Sequence, residues 1–182
     1  MVVLHKENLK SDFEGTIIDL ETIGTFDDYY NDSRRYKKII PIIFGFINSK
    51  GINIFCAKNQ NSIQTLRDQI LGIIDKLNKP FYAFNSNFER GVLFNHLSKQ
   101  IEFEKELNKE IFEKKEYAVQ ALRIPNYDDP FWGDGRSCMG AWLRGEIDKA
   151  IMHNRSCLLK ERDILLKRGF RNPDELKFAK GN

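Results

Sequence analysis

The first apolar run of the chain is Gly15 to Gly24, GTIIDLETIG, where Ile17 and Ile18 beside Thr16 suit a buried strand. Thr25 to Lys38 is polar, rich in Asp, Tyr and Arg, and reads as a long loop. Ile39 to Asn48, IIPIIFGFIN, predicts a strand; Ser49-Lys50-Gly51 predicts a turn; INIFCA from Ile52 predicts the returning strand of a hairpin. From Ser62 to Leu77 the period changes. Ile63, Leu66, Ile70, Ile73, Ile74 and Leu77 recur at helical spacing behind Ser62 as N-cap. After Pro80, FYAFN predicts a fourth strand closed by Asn85, and Asn87 to Leu97 a helix. The Glu/Lys mix of Ile101 to Lys115 predicts a charged, solvated helix, and Tyr117 to Leu122 a short fifth strand. Ile124 to Ser137 is a loop by its Pro, Asp and Gly content; Met139 to Leu143 is a short helix stopped by Gly145. Glu146 to Arg168 is a long helix ending at Gly169. This order predicts one α/β domain, a mixed and roughly five-stranded sheet flanked by helices.

Composition narrows the class without naming a function. The 182 residues suffice for a sizeable core, and 41% hydrophobic with 30% charged residues is a globular profile. No apolar run approaches a membrane span, and MVVLHKENLK turns polar too early for a secretory signal, so a cytoplasmic protein without a membrane partner is expected. A net charge of +3 is ordinary solubility and does not point to nucleic acid. Cys56, Cys138 and Cys157 form no spaced framework and are expected as reduced thiols.

The chemistry begins at Asp19 and Glu21. At i and i+2 in a strand their side chains share a face. Two carboxylates on an otherwise buried strand are costly unless paired or metal-bound.

Around these residues IIDLETIG resembles the first motif of the DEDD 3′→5′ exonucleases, an apolar strand followed by D-x-E-T-x-G. Asn85-Ser86-Asn87-Phe88-Glu89 resembles their second motif, N-x-x-F-D, with Glu89 in place of Asp. In the third, Y-x-x-x-D or H-x-x-x-x-D, His153 stands where the Tyr or His would be and Cys157 where the last Asp of the Tyr type would be. A thiolate suits Mg²⁺ poorly. Glu161 lies one turn further, so His153, Cys157 and Glu161 share one helix face; Glu161 or Asp163 is the candidate for the missing acid.

The resemblance covers about residues 15 to 168 and implies a ribonuclease-H-like fold. It also implies 3′→5′ hydrolysis of single-stranded DNA or RNA with two Mg²⁺ or Mn²⁺ ions. Asp19, Glu21 and Glu89, with Glu161 or a water near Cys157, are then the metal set, and His153 is the general base. Asn85, Phe88 and Arg90 are candidate substrate contacts, as is Trp132 in YDDPFWGDG, where Tyr127 and Phe131 also stand ready to stack a base.

Other readings stand beside this one. The fold without catalysis would give a nucleic-acid-binding or scaffolding module. Cys138, His153 and Cys157 would suit a structural Zn²⁺. Arg34-Arg35-Tyr36-Lys37-Lys38 reads equally as a phosphate grip and as a solvated turn. Asp128, Asp129 and Asp134 read as turn formers, one of which could replace the third-motif acid.

Overall fold

The computed structural model describes residues 1–179. Its strands are β1 (Val2–Asn8), β2 (Thr16–Gly24), β3 (Ile39–Asn48), β4 (Gly51–Ala57), β5 (Phe81–Ala83) and β6 (Lys105–Glu106). Its α-helices are α1 (Ile63–Ile74), α2 (Ser86–Leu97), α3 (Lys115–Ala121), α4 (Gly135–Leu143) and α5 (Ile147–Arg168). The strands form one mixed sheet in the order β1-β4-β3-β2-β5-β6. β1, β4, β3 and β2 pair antiparallel, whereas β5 runs parallel to β2, and β6 to β5. The chain is a mixed α/β protein whose sheet is flanked by helices.

The β3–β4 hairpin places Ile43, Phe44, Ile47, Ile52 and Ile54 in the core at 1% exposure or less. Burial of one such side chain contributes about 1.5–3 kcal/mol. α1 turns Leu66, Ile70 and Ile74 onto this layer, and α5 packs along β2, β3 and β4. α4 is tied to the end of β4 by Trp142, whose indole Nε1 donates to the Ala57 carbonyl at 2.5 Å. At Gly45 of β3 the side chains of α5 come close. A Cβ there would lie 1.9 Å from Asn154 Oδ1. Among the described residues no helix is long and apolar enough to cross a membrane.

Four expectations are corrected. The sheet has six strands, because Val2–Asn8 adds an edge strand to β4 with only modest burial of its own. Ile101 to Lys115 is not a helix. Ile101 and Phe103 are buried with exposed Glu102 between them and half-exposed Glu104 after, an extended pattern, and Lys105–Glu106 form β6 before buried Leu107. Glu106 there is fully buried, accepting from the Ser86 amide at 2.8 Å and pairing with Arg171 at 2.7 Å. Tyr117 to Ala121 is helical, within α3, with Leu122 as its C-cap and Ala118 turned to the core. α4 also begins before Met139, where Asp134 accepts from the Arg136 amide as its N-cap.

Candidate active site

β2 lies where the sheet changes sense, with antiparallel β3 on one side and parallel β5 on the other. Crevices outside the carboxyl ends of strands at such a switch point are the usual ligand sites of α/β sheets. Asp19 and Glu21 sit on that strand, 6% and 8% exposed, on the face that meets α5. A register shift follows at once: Glu21 opposes Ile43 and Thr22 opposes Pro41, so the strand is re-aimed beside its second carboxylate. β5 ends at Ala83, and the chain turns through exposed Asn85 into α2, which carries Glu89 in its first turn. α5 contributes His153, Cys157 and Glu161 from successive turns of one face.

These groups converge on a cleft of about 640 Å³ lined by Asp19, Glu21, Glu89, His153 and Cys157. Glu161 does not line it; it lies fully buried behind Lys115, which does. Burial raises the Glu89 and Glu161 carboxyls well above the ordinary carboxylate range, and repulsion from Asp19 adds to both. Burial and the Asp19 charge push Glu21 up to about 7, against the pull of His153. Lys115, at the start of α3, answers part of this charge. Its ammonium lies 3.0 Å from Asp19 Oδ1 and 2.5 Å from Glu161 Oε1. Asn154 Nδ2 donates to the other Asp19 oxygen at 2.7 Å. Glu89 Oε2 is buried without a partner among the described residues.

His153 is held from behind. Its Nδ1 is 2.8 Å from Asp129 Oδ1, while Nε2 faces the cleft, 3.6 Å from Glu21 Oε1 and 3.8 Å from Cys157 Sγ. Burial works against the imidazolium, yet Cys157, Glu21 and Asp129 together push its pKa up to about 11. Asp129 also accepts from Lys160 Nζ at 2.7 Å and from the Phe131 and Gly133 amides. Burial favours its neutral form, but the His153 and Lys160 bonds hold it well below the usual carboxylate range.

No family model, curated protein or solved structure matches this chain.

The structure therefore brings Asp19, Glu21, Glu89, His153, Cys157 and Glu161 to one place. Asp163 is not among them; it accepts from Tyr127 Oη and Arg162. Cys138 also stands apart, its sulfur 3.8 Å from the Ala150 carbonyl. The potential metal-binding group found among the described residues is Glu21, His153 and Cys157, which corrects the Cys138-His153-Cys157 zinc reading. Asn85 and Phe88 line the cleft, and Phe88 stacks edge-on with Phe26 and Tyr36. Arg90 is engaged by Asn87 Oδ1 and the Asp174 carbonyl. Trp132 is 80% exposed at the rim of an adjoining hollow that shares Lys115, Gly133 and Cys157 with the cleft. In the basic loop Arg34, Arg35 and Lys38 are paired with Asp32, Asp28 and Asp27, so its charge is largely spent locally. Of the turn acids, Asp134 caps α4 and Asp128 is exposed, while Asp129 both turns the loop and seats His153. Lys115, Asn154 and this role of Asp129 were not foreseen from the sequence. Of these only Asn154 carried a signal, as the neighbour of His153 within the third motif.

Proposed function

We propose that this chain is a metal-dependent nuclease of ribonuclease-H-like fold that removes nucleotides from the 3′ end of single-stranded DNA or RNA. The observation that carries the reading is convergence. Asp19 and Glu21 from β2 and Glu89 from α2 line one open cleft, Glu161 of α5 lies buried behind it against Lys115, and Glu89 retains a buried oxygen with no partner among the described residues. Four carboxylates drawn together from three elements are unfavourable without cations. The strand order, with β2 between antiparallel β3 and parallel β5, is compatible with the fold that the motif resemblance implies.

The donor set fits a divalent ion, Mn²⁺ or Mg²⁺ on the oxygens. Bound there, it supplies an activated water and neutralises charge on the phosphate. The chain's own groups do the rest. Asp19 is oriented by Asn154 and Lys115, and Asp129 fixes the His153 ring so that Nε2 faces the cleft. Trp132 offers a face for an unpaired base at the rim, and Phe88, Phe26 and Tyr36 form an aromatic wall inside. Cytoplasmic location accords with the reduced state of Cys56, Cys138 and Cys157.

Incubation of the purified chain with single-stranded DNA and RNA, with Mn²⁺, Mg²⁺ or EDTA, tests this reading. Cleavage that requires the metal supports it. Binding of the strands with no cleavage under any ion leaves the binding module instead.

A further inference from the structure

We propose that the cleft takes one divalent ion, on Glu21, His153 and Cys157, and that the Lys115 ammonium supplies the second positive charge between Asp19 and Glu161. This rests on the nuclease reading and replaces the oxygen-bound Mn²⁺ or Mg²⁺ of that reading with a softer ion on a mixed ligand set.

The donor atoms of Glu21, His153 and Cys157 all lie within 4.8 Å of one another, and all three residues are buried. Ligand bonds of zinc-like length in a tetrahedron place neighbouring donors roughly 3.4–3.6 Å apart. His153 Nε2 is already 3.6 Å from Glu21 Oε1 and 3.8 Å from Cys157 Sγ. The atoms need only small shifts to close on an ion. The second observation is behind the ring. Histidine ligands characteristically give their other nitrogen to a carboxylate, which fixes ring orientation and raises basicity. His153 Nδ1 meets the fully buried Asp129 carboxylate at 2.8 Å, and Asp129 is itself anchored by Lys160 and two backbone amides. On this arrangement Nε2 is a ligand and not the general base.

Sulfur and imidazole select a borderline ion such as Zn²⁺ or Co²⁺ and disfavour Mg²⁺. Cys157 then stands as a ligand at the position where a hard-ion site would need its aspartate.

The Asp19–Glu161 side of the cleft is filled differently. Lys115 Nζ lies 3.0 Å from Asp19 and 2.5 Å from Glu161, and its side chain is 26% exposed. A second ion at these two carboxylates would have to compete with the ammonium, which already holds one oxygen of each. A tethered ammonium supplies the same sign of charge at fixed position, without a second metal.

The test is titration of the EDTA-stripped full chain with Co²⁺ alone, followed by calorimetry and absorption. One equivalent should bind, with a near-ultraviolet sulfur-to-cobalt charge-transfer band. Cys157→Ser should lose that band and weaken binding about tenfold or more. Lys115→Met, which keeps the length and removes the charge, should bind two equivalents with the band unchanged. Two equivalents in the natural chain, or a single equivalent in Lys115→Met, overturns the role of Lys115. Binding without a Cys157-dependent band overturns the ligand set and places the ion on the carboxylates, with the nuclease reading intact. Failure to bind Co²⁺, Mn²⁺ or Mg²⁺ at all overturns both.

Discussion

Asn154 Nδ2 donates to Asp19 Oδ2 at 2.7 Å, and the contact exists because residue 45 has no side chain. Asp19 opposes Gly45 across the β2–β3 ladder, so the glycine lies beside the carboxylate on the face that α5 covers. A Cβ would stand 1.9 Å from Asn154 Oδ1 and 3.0 Å from Leu158 Cδ1. The closeness of helix and sheet is therefore what lets α5 present Asn154 to β2.

Gly45→Ala should force α5 outward. The expected cost is about 1–3 kcal/mol, the range for overpacking a filled core, measured by urea denaturation. Metal affinity should fall with it. A variant as stable as the natural chain would show that the helix does not rest on this glycine.

Glu161 and Asp163 lie two residues apart on α5, yet Glu161 pairs with Lys115 behind the cleft whereas Asp163 accepts from Tyr127. Glu161→Gln should lower the metal-dependent cleavage rate about 100-fold or more, whereas Asp163→Asn should stay within about twofold. Equal effects in the two variants would count against the assignment of Glu161 to the site.

Asp129 is the seat of His153. Asp129→Asn keeps the shape and should weaken metal affinity about 10- to 100-fold. Asp129→Ala leaves Lys160 and His153 buried without their shared carboxylate, and should cost about 3–5 kcal/mol in thermal or urea unfolding. A fully stable Ala variant with unchanged affinity would remove Asp129 from the account.

Much of this site was legible in the chain, and the reasons differ by residue. Asp19 and Glu21 stand out because acids on an apolar strand have few innocent explanations, and Glu161 followed from helical spacing to Cys157. Lys115 was hidden. In a run of Glu and Lys, a single half-buried ammonium looks like any solvated one, and only the packing of α3 beside α5 singles it out. Asp129 was hidden by sufficiency, since Asp before Pro already explains a turn. Ile101 to Glu104 carried a two-residue alternation that its charges obscured. β1 carried little contrast at all, because an edge strand is defined by the neighbour it pairs with.

Glu7 of β1 is tied to α5 by Arg155, whose Nη2 donates to Oε1 at 2.9 Å. The Arg155 hydrogen bond holds the Glu7 carboxyl below its ordinary value, against a smaller opposing effect of burial. With the folded pKa depressed, the contribution is present above the unfolded value of about 4.3 and is lost as pH falls through the folded one. Glu7→Gln should cost about 1 kcal/mol or less at neutral pH, the pair being partly exposed, and nothing at pH 2. A difference that persists unchanged into acid would mean that shape, not charge, joins β1 to α5.

The most direct measurement is a time course on a 5′-labelled single strand with Mn²⁺, comparing the natural chain with Asp19→Asn. Asp19 touches both Asn154 and Lys115 at the centre of the cleft, and the substitution keeps its shape while removing its charge. A ladder shortening stepwise from the 3′ end, abolished by EDTA and by Asp19→Asn, is the expected result. Cleavage that persists in Asp19→Asn, or no cleavage by the natural chain with any divalent ion, would contradict the account.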